Sequence, residues 1–115
     1  MSAGQIREEL RGFPPGLVDA ALRYQRDRSA NALLDMLPGM IAYHLPRGVP
    51  APPNPLGDGL RLSQDLGMDS LSMMEMAFML DELTGVSIES GEVKEVATVG
   101  ELKAFLARKL QHASV

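Results

Sequence analysis

Apolar positions recur along this chain at three- and four-residue spacing, and no segment shows the two-residue alternation of a half-buried strand. Pro14 and Pro15 stand where a helix can start, and Leu17, Ala21 and Tyr24 carry its stripe up to about Arg28. Ser29 is placed to cap a second helix, in which Leu33, Met36, Leu37, Met40, Ile41 and His44 share one face. Pro38 interrupts that pattern and predicts a kink or a restart. A third helix is expected from Ser70 to about Thr84, ended by Gly85, and a short one from Gly91 to Val96. The last helix is the best marked. Thr98-Val99-Gly100-Glu101 has capping-box spacing, and Val99, Leu102, Leu106 and Leu110 follow as a stripe with Phe105 beside it.

One stretch breaks this helical rhythm. Leu45 to Gly59 holds Pro46, Pro50, Pro52, Pro53 and Pro55 together with Gly48, Gly57 and Gly59, a composition that excludes helix and central strand. It reads as a long extended loop between an N-terminal helical part and a C-terminal one. The pattern as a whole predicts an all-α fold, most simply a four-helix bundle with an N-terminal addition. A length of 115 residues allows one domain. No apolar run is long enough to span a membrane, and residues 2–11 lack a signal-peptide core, so a cytoplasmic protein without membrane insertion is expected. With no cysteine, the chain has no thiol chemistry and no cysteine-held metal of its own.

The net charge is −4, which argues against binding a phosphate backbone. The acid is unevenly placed: Asp65, Asp69, Glu75, Asp81, Glu82, Glu89, Glu92 and Glu95 face a single base, Lys94, in that stretch. Such a face steers basic partners, or it is a solvated surface kept for solubility. The helix from Ser70 adds a second puzzle. Met73, Met76, Ala77 and Leu80 form one apolar stripe, while Leu71, Met74 and Phe78 form another on roughly the opposite side, flanked by Glu75 and Glu82. Periodicity leaves two readings open: a helix buried all round, or a core face backed by a partner surface rich in adaptable methionine.

Ser70 opens this helix directly after Asp69, a natural cap, where free N–H groups and the helix dipole favour an anion. Taken alone, Asp69-Ser70 starts a helix and nothing more. The wider run Asp65-Leu66-Gly67-Met68-Asp69-Ser70-Leu71 closely resembles the D-L-G-x-D-S-L attachment motif of acyl carrier proteins. Gly85-Val86-Ser87-Ile88 resembles that family's turn after the second helix, and Ala97-Thr98-Val99-Gly100-Glu101-Leu102 its entry to the final helix. The resemblance covers residues 31–110, strongly from Leu62 onward.

That resemblance implies a four-helix bundle with an extra N-terminal segment (residues 1–28), a carrier domain over 29–110 with its proline-rich loop at 46–62, and a tail at 111–115. It implies that a Mg²⁺-dependent phosphopantetheinyl transferase moves 4′-phosphopantetheine from coenzyme A onto Ser70. Acyl groups would then ride as thioesters in fatty-acid, specialised-lipid or polyketide-type biosynthesis. Asp69, Leu71, Met74, Glu75, Phe78, Asp81 and Glu82 would form the docking surface for synthases, ligases or transferases with basic patches, with Met73, Met76 and Leu80 as yielding walls for an acyl chain. The implied molecule is a monomeric carrier and not an enzyme. Ser72 stands where the family often has an acid, which lowers the docking charge near Ser70. An aminoacyl or peptidyl carrier and an unmodified interaction module are the alternatives. A helix-turn-helix DNA binder conflicts with the acidic central helix. His44 and His112 have no spacing to Ser70 that points to a triad, His44 reading as a packed residue.

Overall fold

The structure, a computed structural model, describes residues 3–13, 15–53 and 56–113. It contains helices α1 (Ala3–Glu9), α2 (Pro15–Asp27), α3 (Ala30–His44), α4 (Ser70–Thr84), α5 (Ser90–Val93) and α6 (Val99–Ala113). Among the described residues there is no strand, and a single antiparallel bridge joins Arg61 to Thr98. Pro14, Pro55 and the side chain of His112 lie outside the described set. The final helix runs on to Ala113, through most of the segment that the sequence reads as a tail.

The helix ends follow from local chemistry. The Ser29 hydroxyl accepts the Ala32 N–H at 3.2 Å and so starts α3. At α6 the capping box forms in both directions: Thr98 Oγ1 accepts the Glu101 N–H at 3.2 Å, and Glu101 Oε2 accepts the N–H groups of Thr98 and Ala97. Gly85, at φ 71°, ends α4 in the left-handed conformation that glycine adopts without cost. Pro38 does not restart α3, which continues from Ala30 to His44. Met36, Leu37, Met40 and Ile41 are buried on both sides of it, and that packing offsets the missing hydrogen bond.

The expected stripes form one core. Leu33, Met36, Leu37, Met40 and Ile41 of α3 meet Met76, Ala77, Leu80 and Leu83 of α4 and Val99, Leu102, Phe105 and Leu106 of α6. The N-terminal helices belong to the same core through Ile6, Leu10, Phe13, Leu17, Ala20, Ala21 and Tyr24. A radius of gyration of 13.2 Å matches the roughly 13 Å expected of a compact chain of this size, so these helices fold back onto the bundle. Helix α2 packs chiefly along α3. A Cβ added at Gly39 of α3 would sit 2.8 Å from Leu17 Cβ, so glycine lets the two helices close up. Arg28 ties α2 to α4: its guanidinium donates to the Thr84 carbonyl at 2.9 Å and lies over the Tyr24 ring.

The described residues of the loop between α3 and α4 form no helix or strand. Within it Asp58, Leu60 and Leu62 pair with the α6 entry: Leu62 donates to Ala97 O at 2.9 Å, while Val99 and Gly100 donate to Leu60 O and Asp58 O. This clamp fixes the chain just before it turns into α4.

Candidate functional site

The segment Asp65–Leu71 owes its composition to the turn it makes. The Asp65 carboxylate accepts three bonds from Arg61, at 2.8 Å from the backbone and 3.0 and 3.1 Å from the guanidinium. Those bonds hold its pKa below the ordinary carboxylate value. Leu66 and Met68 are buried in the core. Gly67 has φ 85°, and a Cβ there would meet Val49 Cγ1 at 2.8 Å, so both conformation and space require glycine. Asp69 caps α4 by accepting the Ser72 N–H at 2.8 Å, and this bond also lowers its pKa.

Ser70 is the exception in this run. It is exposed, it is the first residue of α4, and its hydroxyl makes no hydrogen bond among the described residues. Every residue from Asp65 to Asp69 has a structural task, whereas the Ser70 hydroxyl has none. It opens onto a groove of about 600 Å³ lined by Leu62, Met68, Met73 and Val96, with Arg61 and Lys94 balanced by Asp69 and Glu95.

The two stripes of α4 separate cleanly. Met73, Met76, Ala77 and Leu80 are buried, whereas Leu71, Met74 and Phe78 are 57%, 47% and 68% exposed. The helix is therefore not buried all round; among the described residues its outer face stays largely exposed. Leu71, Met74 and Phe78 line a second groove of about 640 Å³ with Asp69, Glu75 and Tyr43. Glu75 and Glu82 are exposed and make no ion pair among the described residues. Asp81 differs from them. It is half-buried, and its Oδ2 accepts the Ile88 N–H at 3.0 Å, which fastens the turn between α4 and α5.

Ser72, the position expected to weaken the docking charge, is buried in this second groove beside Asp69. A carboxylate there would face desolvation and a like-charged neighbour. His44 is buried, with Nδ1 2.8 Å from Met40 O, and is a packed residue as its register predicts. Sequence reasoning passed over Tyr43. Its only signal was an aromatic three residues beyond Met40, on the flank of the α3 stripe.

Residues 48–106 match a family described as the phosphopantetheine attachment site. An acyl carrier protein of Exiguobacterium sp. is 41% identical over 46 residues, 40% of this chain and 58% of the relative. One from Thermotoga maritima is 28% identical over 50 residues, 44% and 62% of the two chains. One from Saccharopolyspora erythraea is 34% identical over 70 residues, 58% and 72% of the two chains. The chain spans less than two thirds of the length of the first two. No solved structure gives a significant match.

The start of α4 suits the covalent 4′-phosphopantetheine of this family. A phosphodiester on Ser70 would sit at an exposed position on the positive end of a 15-residue helix, beside a groove lined by Lys94 and the Asp65-paired Arg61 together with Asp69 and Glu95. With its helical bundle, its attachment-family match and its acyl carrier relatives, the chain belongs to the acyl carrier protein family.

Proposed function

We propose that this protein carries acyl intermediates of a fatty-acid, specialised-lipid or polyketide-type synthesis on 4′-phosphopantetheine attached to Ser70. The observation that supports this most directly is the free, exposed Ser70 hydroxyl in a turn whose preceding residues are all committed to holding it there. When bound, the arm supplies a terminal thiol that holds acyl groups as thioesters, the thiol that the cysteine-free chain lacks. The chain's own work is to present and to be recognised. Asp69 fixes the first turn of α4 and so sets the direction of the Ser70 hydroxyl. Leu71, Met74 and Phe78 offer apolar contact, and Glu75 and Glu82 offer unpaired charge to basic synthases, ligases and the transferase. Asp81 contributes to that face while anchoring the turn beside it.

Recognition of this kind is steered by charge and released quickly, which a carrier serving several enzymes in turn requires. Residues 29–110 form the carrier unit in this reading and residues 1–28 an addition to it. The protein acts as a cytoplasmic monomer and catalyses nothing itself. No described helix is long and apolar enough to cross a membrane.

The test is intact mass before and after incubation with coenzyme A, Mg²⁺ and a broad-specificity phosphopantetheinyl transferase. Wild type should gain one phosphopantetheine, and Ser70→Ala none, with the variant's melting temperature unchanged. A folded, unmodified wild-type protein that gains no mass would leave an acidic helical binding module and end the carrier reading.

A further inference from the structure

Four large apolar side chains stand in solvent among the described residues, and all four line one groove. Leu71, Met74 and Phe78 come from α4, and the fourth, Tyr43, comes from α3 and is 52% exposed. Scattered apolar residues are ordinary on a surface, but a concave patch that gathers every large one is a contact site.

Tyr43 is also held in place. Its ring stacks on Phe13 with centroids 3.7 Å apart and planes 17° from parallel. Phe13 is buried between α1 and α2 and is fixed by its N–H bond to Leu10 O at 3.0 Å. Tyr43 also makes a T-shaped contact with its chain neighbour His44, ring centroids 5.2 Å apart, and His44 is itself tied to Met40 O. An exposed aromatic gripped this way loses little conformational freedom when a partner arrives, which is what makes a rigid aromatic an effective anchor.

We infer that Tyr43 forms the second wall of the docking groove, and that the N-terminal helices position it through Phe13. The occupant is an apolar side chain of a basic enzyme that acts at Ser70, the phosphopantetheinyl transferase first among them. Charge selects that partner: Asp69 and Glu75 stand in the walls, and no lysine or arginine lines the groove. The inference rests on the carrier reading and extends it. Helices α1 and α2 thereby gain a role in partner choice, since they set one side of a surface whose other side is α4.

The experiment measures loading kinetics with coenzyme A, Mg²⁺ and the transferase for wild type, Tyr43→Ala, Tyr43→Phe and Phe13→Leu, each checked for its melting temperature. Tyr43→Ala should raise KM about tenfold with kcat within a factor of about two, the size expected when a central aromatic contact is truncated. Tyr43→Phe keeps the ring and should behave as wild type. Phe13→Leu keeps the core filled but loses the stack, and should raise KM about threefold by loosening Tyr43. An unchanged KM in Tyr43→Ala, beside a raised one in Leu71→Ala, would overturn the inference and leave a one-walled surface. A second measurement does not depend on loading: titration of ¹⁵N-labelled Ser70→Ala protein with the transferase, without coenzyme A. Amide shifts at Tyr43 and Leu45 together with Leu71 and Met74 support the groove, and shifts confined to α4 refute it. Failure of wild-type loading alone would count against the carrier reading rather than the groove.

Discussion

Gly67→Ala isolates the physical demand behind the turn that presents Ser70. Two separate costs are expected at this position. The backbone has φ 85°, where an alanine is strained by about 1–2 kcal/mol. The new Cβ would also lie 2.8 Å from Val49 Cγ1, well inside the roughly 3.5–4.0 Å of ordinary carbon contact. Relieving that overlap displaces Val49 or the turn, at about 1–2 kcal/mol. Alanine's smaller unfolded-state entropy returns about 0.5–1 kcal/mol, leaving a net loss of about 1–3.5 kcal/mol. Val49→Ala removes the overlap but not the strain. In that background Gly67→Ala should therefore cost about 1 kcal/mol less than in wild type, a coupling that a double-mutant cycle resolves. Urea unfolding of the four proteins measures this, and the transferase reaction shows whether the displaced turn also slows loading. Strict additivity would refute the close approach of Val49 to Gly67. A loss below about 0.5 kcal/mol for Gly67→Ala would refute the left-handed turn itself.

Two further expectations concern the ends of α4. Arg28 holds a positive φ of 53° while its guanidinium caps the Thr84 carbonyl and covers Tyr24. Arg28→Ala loses both contacts and keeps the strain, whereas Arg28→Gly loses the contacts and relieves it. Urea unfolding should place wild type above Arg28→Gly and Arg28→Gly above Arg28→Ala by about 1 kcal/mol; Arg28→Gly as stable as wild type would show that the clasp contributes nothing, and Arg28→Ala above Arg28→Gly would refute the strain. At the other end, the Ser72 N–H bond lowers the Asp69 pKa from its ordinary 3.8. On acidification the unfolded chain takes up that proton before the folded one. This contribution is thus complete above pH 3.8 and is lost as pH falls through the lower folded value. Asp69→Asn keeps a capping oxygen without titrating, so its stability should fall less steeply than that of wild type as pH drops below 3.8; parallel curves would show that the cap is not ionic.

Much of this protein was settled by sequence alone. Ser29, Thr98 with Glu101, and Gly85 act over three or four residues, so the helix ends they set are legible without a fold. The core stripes are legible for the same reason, because helical geometry fixes which side chains share a direction. The serine was legible through the motif around it, whose other residues each answer a requirement of one tight turn. Periodicity gives directions from a single axis, however, and says nothing about which directions meet a neighbour. It could not decide whether Leu71, Met74 and Phe78 were covered; the placement of α3 and the proline-rich loop left them open. Nor could it bring Val49 against Gly67, Arg28 to Thr84, or Phe13 under Tyr43, which are pairs distant in sequence and joined only by packing. Pro38 points the same way: locally it breaks a helix, and only burial on both sides of it shows why α3 continues. Local hydrogen bonding and side-chain direction are written residue by residue, whereas exposure belongs to the whole arrangement of helices, and the docking groove is a matter of exposure.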